Sequence, residues 1–198
     1  GRTGTMFGIE NWGVEPDLMS FAKGVTSGYF PLGGVIVSDQ IHEVLKEKSQ
    51  GVLFHGFTYS GHATGAAVAL KNIEILENEE LVENARLMGE ELLKGLQSIK
   101  EESAIVGDVR TVGLLGAIEF VQDPVTNTRF SPDLKVTSRM IEALHERGVI
   151  CRGVTYDGTD IVCFSPPLII NKGQIDTLIE RLRQSVLAVQ QELESQSV

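Results

Sequence analysis

The chain has 198 residues, of which 42% are hydrophobic and 22% charged, and its formal net charge is −10. This composition is typical of a globular protein with a sizeable core, and the acidic balance argues against nucleic acid or an anionic membrane as the main partner. Its two cysteines, Cys151 and Cys163, form no CxxC pair and are too few for a disulfide framework, so we expect a reducing, cytoplasmic location. No apolar run approaches the roughly 18 residues that a membrane-spanning helix needs.

The first third of the chain reads as loops with few regular elements. Its opening stretch, GRTGTMFGIE, has no initiator Met, no basic region and no apolar core of a signal peptide, so we interpret the chain as a piece of a longer protein. The run Val35 to Val37 after two glycines predicts a buried strand, and Asp39 is the expected N-cap of a short helix. The aromatic and glycine-rich segment 51–65 has no helical period and predicts a loop.

From Ala63 onward the sequence alternates helical and β patterns. In chain order these are a helix from Ala63, a helix with an apolar face at Leu81, Ala85, Met88, Leu92 and Leu96, two strands turned at Gly113, an amphipathic helix ended by Gly148, two short strands at VICRG and DIVCF, and a last helix with a stripe from Ile175 to Leu193. Asn171 followed by Gln174 predicts a capping box at the start of that last helix. We therefore expect an α/β fold in two parts, in which residues 1–70 belong to a larger sheet and residues 71–198 form a small α+β domain.

The stretch DLMSFAKGVTSGYFPLGG holds a single cation, Lys23, among small, apolar and hydroxyl-bearing residues. Most lysines are simply surface residues, and that interpretation stays open here. However, apolar neighbours disfavour the charged form of an amine and make it available as a nucleophile, which is what Schiff-base chemistry requires.

The segment HGFTYSGH, residues 55–62, offers three adjacent hydroxyls and several glycine amides. Such donors can surround a phosphate group without a cation, although many loops of this composition are only turns. Together with a nucleophilic lysine, the segment suggests pyridoxal phosphate, which needs an amine for its aldehyde and donors for its phosphate.

These motifs carry a family resemblance that extends over nearly the whole chain. The stretches GRTGTMFGIENWGVEPDLMSFAKGVTSGYFPLGG, FHGFTYSGH, VRTVGLLGAIEF and ICRGVTYDGTDIVCFSPPLII occur in the family's order. The chain resembles the carboxy-terminal half of a class III, pyridoxal-phosphate-dependent aminotransferase of fold type I, and it is most similar to the omega-amino acid:pyruvate branch. The resemblance implies that residues 1–70 are the remnant of the large cofactor-binding domain and that residues 71–198 are the small carboxy-terminal domain.

The resemblance also implies a role for each matching residue. Lys23 corresponds to the catalytic lysine, which forms a Schiff base with pyridoxal 5'-phosphate and moves the proton at the substrate carbon. Thr58, with Phe57 beside it, corresponds to the threonine that binds the cofactor phosphate, usually from the neighbouring subunit of a homodimer. Arg152 corresponds to the arginine that pairs with a substrate carboxylate, which suits its planar guanidinium. Ala63 departs from the family's proline after the Gly-His pair.

The resemblance further implies that the carboxylate that pairs with the pyridine nitrogen lies upstream of residue 1. We therefore expect this chain by itself to be inactive and to need the missing amino-terminal half. In the parent protein the expected reaction moves an amino group from an omega-amino acid or amine to pyruvate or a related keto acid.

Two alternatives remain open. The chain could be a folded, non-catalytic fragment of a disrupted aminotransferase, or the parent could be an aminomutase or decarboxylase of the same family. The partners that we expect are a small-molecule amino donor, a keto acid and a second subunit, without nucleic acid or membrane. We expect no metal site, because His42, His55, His62 and His145 lack ligand spacing.

Overall fold

The computed structural model describes residues 1–50 and 52–196, so that Gly51 of the predicted loop and residues 197–198 lie outside the described residues. The chain forms two units, which we treat separately. The first unit is Gly1 with Ile9–Leu81, and the second is Arg2–Gly8 with the chain from Val82 onward. The two units divide at Leu81, and residue 70, after which the sequence predicts a division, lies inside the helix Ala63–Asn78.

Within its described residues, the first unit contains two strands, two α-helices and two short 3₁₀ turns. In chain order these are a 3₁₀ turn at Gly8–Trp12, β1 at Leu18–Ala22, a 3₁₀ turn at Lys23–Thr26, β2 at Gly33–Val37, α1 at Asp39–Lys48 and α2 at Ala63–Asn78. The strands β1 and β2 are antiparallel, with Leu18 opposite Val37 and Ala22 opposite Gly33.

Two predictions for this unit need correction. The strand β2 exists, but its valines and isoleucine are exposed rather than buried, because among the described residues the strands form a sheet of only two and pair with each other. The N-cap of α1 is Ser38 rather than Asp39. Ser38 has extended backbone angles, and its hydroxyl accepts a hydrogen bond from the Ile41 amide at 3.5 Å, as an N-cap does.

The described part of the second unit is an antiparallel sheet with three α-helices. Its elements are α3 at Leu81–Glu102, β3 at Val106–Val112, β4 at Leu115–Phe120, α4 at Val136–Glu146, β5 at Arg152–Tyr156, β6 at Thr159–Phe164 and α5 at Lys172–Gln196, with a 3₁₀ turn at Pro132–Leu134. The strand order is β3-β4-β6-β5, so β5 lies at an edge of the sheet. These bounds confirm the predicted helices and strands, except that β5 begins only at Arg152, later than the VICRG stretch suggested.

The core of the second unit forms where the predicted apolar stripes meet the sheet. Leu92 and Leu96 of α3, Ile118 of β4 and Leu182 of α5 are fully buried there. The predicted capping box is confirmed at both of its bonds. The Asn171 amide donates to Gln174 Oε1 at 3.0 Å, and the Gln174 amide donates to Asn171 Oδ1 at 3.0 Å.

The turn after α4 confirms the predicted role of Gly148, which has a φ of 71° and donates from its amide to the His145 carbonyl at 2.9 Å.

In the part of the chain that the structure describes, no helix combines the length and the apolar character needed to cross a membrane.

Candidate functional site

Lys23 lies where β1 ends and a 3₁₀ turn begins. Its φ of 54° places the backbone in the left-handed region, which costs a residue with a Cβ roughly 1–2 kcal/mol. Ser27 and Gly28 of the same stretch also have positive φ, at 49° and 81°. We call residues 23–28 the Lys23 turn. Unfavourable backbone conformations persist only where surrounding contacts fix them, and they are common at functional sites.

The Lys23 turn is fixed by Asn72 of α2. The Asn72 amide nitrogen donates to the carbonyls of Gly24 and Val25 at 3.0 and 3.1 Å. The hydroxyl of Ser27 donates to Asn72 Oδ1 at 2.7 Å. Sequence reasoning missed this residue, although one signal was present: Asn72 interrupts the face of α2 that Gly65, Ala69 and Leu76 bury.

The side chain of Lys23 is exposed. The expectation that apolar neighbours bury the amine is therefore wrong for this chain by itself. The reason is that β1 alternates between exposed and half-buried residues, with Leu18 58% exposed, and that Ala22 and Gly24 on either side of Lys23 are exposed as well. Among the described residues the amine has no hydrogen-bond or ion-pair partner.

Phe57 and Thr58 form a tight turn directly before α2. The Phe57 amide donates to Ser60 Oγ at 2.9 Å, and the Ser60 amide donates to the Phe57 carbonyl at 2.9 Å. The Thr58 side chain is exposed and, within residues 1–50 and 52–196, has no hydrogen-bond partner. A free hydroxyl beside the N-terminus of a helix is suited to an anionic oxygen, because the helix dipole favours negative charge there.

The Lys23 turn and the Phe57–Thr58 turn are both attached to α2, but at different levels. Asn72 holds the first, whereas the second precedes Ala63, where α2 begins. Nine residues of α-helix separate Ala63 from Asn72, which corresponds to about 14 Å along the axis. Among the described residues, no hydrogen bond joins Lys23 and Thr58. The structure thus places both predicted residues in one unit without joining them.

Arg152 belongs to the second unit and begins the edge strand β5, opposite Cys163 of β6. It is exposed, and its guanidinium has no ion-pair partner in the described part of the chain. Arg152 lines a cleft of about 1180 Å³ whose walls include Phe164, Pro166 and Ile169. The other cation there is Arg181, and the described lining residues include no carboxylate. A guanidinium in such surroundings can bind a carboxylate through two parallel hydrogen bonds.

The cysteines beside this cleft are free thiols. Burial, and then the proximity of Cys163, raise the pKa of Cys151 to about 11, so Cys151 is a neutral thiol at physiological pH. Among the described residues, no group of three or more His, Cys, Asp or Glu side chains could hold a metal ion.

Comparison with known families and structures gives a consistent set of similarities. The sequence model of the family described as aminotransferase class-III matches residues 1–186. A transaminase from the marine bacterium Virgibacillus, solved by crystallography, matches at 67% identity and a TM-score of 0.94, over 98% of this chain and 44% of that one. An (S)-enantioselective omega-transaminase from Thermomicrobium roseum matches at 44% identity and a TM-score of 0.86, over 96% and 41% of the two chains.

A putrescine–pyruvate aminotransferase from Pseudomonas aeruginosa is 43% identical over 183 residues, which are 92% of this chain and 39% of that protein. The chain therefore spans about two fifths of the length of the relatives that it matches.

Proposed function

This chain belongs to the class III aminotransferase family, and from that premise we propose that it is the carboxy-terminal part of a pyridoxal-phosphate-dependent transaminase. Its fold is that of the corresponding part of the transaminase structures that it matches. The observation that carries the proposal is the position of Lys23, an unpaired amine at the end of a strand, on a backbone that side-chain contacts hold in an unfavourable conformation.

The residues present fit two parts of the cofactor. Lys23 offers a free amine for its aldehyde, and Thr58 offers a free hydroxyl for its phosphate. When bound, pyridoxal phosphate supplies an electron-withdrawing ring that stabilises negative charge at the substrate carbon. Lys23 would hold the cofactor covalently through Nζ, and the same amine would take and return the proton at the carbon that carries the amino group.

We propose that Thr58 and Phe57 serve the neighbouring subunit of a homodimer. The attachment points of the two turns lie about 14 Å apart along α2, which is compatible with turns that act on different cofactor molecules. Exposure supports this arrangement: Phe57 is 78% exposed, Tyr59 81% and Phe54 99%, and exposed aromatic groups in sequence mark an interaction surface.

We propose that Arg152 binds the carboxylate of the amino donor or keto acid. In the parent protein, Arg152→Gln is expected to raise the KM for pyruvate about tenfold or more and to leave the KM for a diamine nearly unchanged, because only pyruvate has a carboxylate. Steady-state kinetics with both substrates tests this. Arg129→Gln, which removes an exposed ion pair with Asp157, is the control. Equal effects on both substrates would contradict the assignment.

Omega-transaminases and a putrescine–pyruvate aminotransferase among the relatives support an omega-amino acid or amine as donor and pyruvate or a related keto acid as acceptor. By itself the chain is a folded fragment without turnover. This part of the proposal is supported by the length of the chain, which is about two fifths of that of the relatives that it matches.

The experiment that tests the proposal traps the cofactor on Lys23. The parent protein, which supplies the remaining length, is mixed with pyridoxal phosphate and reduced with borohydride, and its peptides are mapped by mass spectrometry. We expect an adduct on Lys23 and none on Lys135, a matched lysine that also has a positive φ, of 50°. Lys23→Ala is expected to abolish both adduct and amino transfer. Turnover that survives in Lys23→Ala would refute the proposal.

A further inference from the structure

Asn72 makes the hydrogen bonds that hold the Lys23 turn, and we propose that it is a positioning residue for the Lys23 amine. The inference rests on the proposed function, because positioning matters only if Lys23 reacts. Among the described residues, Asn72 makes its side-chain hydrogen bonds to Gly24, Val25 and Ser27 and none to the Lys23 side chain or the Phe57–Thr58 turn, so its effect passes through residues 24–27.

Asn72 lies on the face of α2 that carries the buried residues of that helix. Gly65, Ala69 and Leu76 are the buried residues of α2. Asn72 follows Ala69 by three positions and precedes Leu76 by four, which places it on the same face. Asn72 is half-buried there, and hydrogen-bond partners offset the cost of withdrawing its polar side chain partly from water.

Those partners all lie in the Lys23 turn. The two donor hydrogens of Nδ2 face the carbonyl oxygens of Gly24 and Val25, and Oδ1 faces the donating hydroxyl of Ser27. The reverse orientation of the amide would set Oδ1 against two carbonyl oxygens. An asparagine side chain therefore matches the turn at each of its polar contacts. A side chain of the same size that lacks either the donor or the acceptor group does not.

The contact is needed because packing leaves the Lys23 end of the turn free. A Cβ added to Gly24 would meet nothing within 4 Å, so steric contact does not fix the residue next to Lys23. The far end differs: Thr26 is buried and its hydroxyl donates to the Phe30 carbonyl at 2.6 Å, while the Phe30 ring packs against Gly65. Asn72 thus supplies the hydrogen bonds that hold the backbone next to the reactive amine.

The first test measures the turn on this chain without cofactor. Hydrogen exchange is followed at the amides of Ser27 and Tyr29, which donate to Gly24 and Thr26. Asn72→Leu keeps the side-chain size but removes the hydrogen bonds, and we expect exchange to become about tenfold faster or more at these amides. Asn78→Leu, the same substitution in the last turn of α2, is the control. Unchanged exchange in Asn72→Leu would overturn the proposal.

The second test uses the parent protein and separates the two proposals. We expect Asn72→Leu to slow the formation of the borohydride-trapped adduct at Lys23. We also expect it to lower kcat about tenfold to a hundredfold and to change KM little, because displacing a reactive group lowers the reaction rate more than substrate binding. Normal adduct formation and normal kcat in Asn72→Leu would refute positioning. Absence of a Lys23 adduct in the unsubstituted protein would instead refute the proposed function.

Ser27→Ala keeps the test decisive if Asn72→Leu lowers the melting temperature of the whole chain. This variant removes one hydrogen bond to Asn72 at an exposed residue. We expect a smaller loss of kcat in Ser27→Ala, and we expect the double variant with Asn72→Leu to lose no more than Asn72→Leu alone, because both act through one contact. Additive losses of kcat would contradict the shared role.

Discussion

At the scale of single residues, Cys151 is a group whose chemistry is changed by its burial. Burial beside Cys163 raises its pKa to about 11 from an ordinary value of 9.0. At pH 8 the thiolate fraction falls from about 10% to about 0.1%, so we expect alkylation by iodoacetamide to be about a hundredfold slower than for an ordinary thiol. Peptide mass spectrometry after timed labelling at pH 8 measures this rate.

The same raised pKa fixes the sign of its effect on stability. The folded state favours the neutral thiol, so this contribution is complete below pH 9 and is lost as the pH rises through 11. Cys163→Ser is the informative control. Burial raises the pKa of Cys151 more than the proximity of Cys163 does, so slow labelling of Cys151 should persist in that variant. Labelling at the rate of the urea-unfolded chain would contradict the assigned environment.

At the scale of elements, the sequence was most informative where side chains repeat or cap. The apolar stripe of α5 and the Asn171–Gln174 capping box depend on residues close together in the sequence, and the structure confirms both predictions. The glycine at position 148 likewise ends α4 as predicted, because a φ of 71° suits glycine best. Local rules are sufficient for elements of this kind.

Elements that depend on distant partners were not predictable in the same way. No pattern indicated β1, whose pairing with β2 is set by a register across the ten residues between the two strands rather than by its own composition. The sequence around Lys23 predicted that this lysine is the reactive one. The sequence could not predict that its amine is exposed, nor that Asn72 bonds to Gly24, 48 residues away. Likewise, the sequence alone could not place Arg152 beside Arg181 in one cleft.

At the scale of the whole molecule, the division of the chain does not follow the order of the sequence. Residues 2–8, which we call the amino-terminal segment, belong to the second unit, although residues 9–81 form the first. The Arg2 guanidinium donates to the carbonyls of Ser165 and Pro166 after β6, and the Leu114 amide donates to the Arg2 carbonyl at 2.9 Å. A glycine-rich stretch without period gave no sign of this packing.

Gly113, in the turn between β3 and β4, makes the packing of the amino-terminal segment possible. A Cβ there would lie 2.4 Å from the Thr3 carbonyl carbon and 2.7 Å from the Arg2 oxygen, and φ is 54°. We therefore expect Gly113→Ala to lower the free energy of unfolding by about 2–4 kcal/mol, from backbone strain and displacement of the segment together. Urea denaturation followed by circular dichroism measures this loss.

Gly158, in the turn between β5 and β6, separates these two causes. Its φ is 74°, but its nearest neighbours are the Arg129 side-chain atoms at 3.4 Å and beyond, so Gly158→Ala should cost only the backbone strain of about 1–2 kcal/mol. In a chain that lacks residues 1–8, the cost of Gly113→Ala should fall to that of Gly158→Ala, because the three nearest atoms, from Arg2, Thr3 and Gly4, are gone. If Gly113→Ala costs the same with and without those residues, the segment does not pack against this turn in solution.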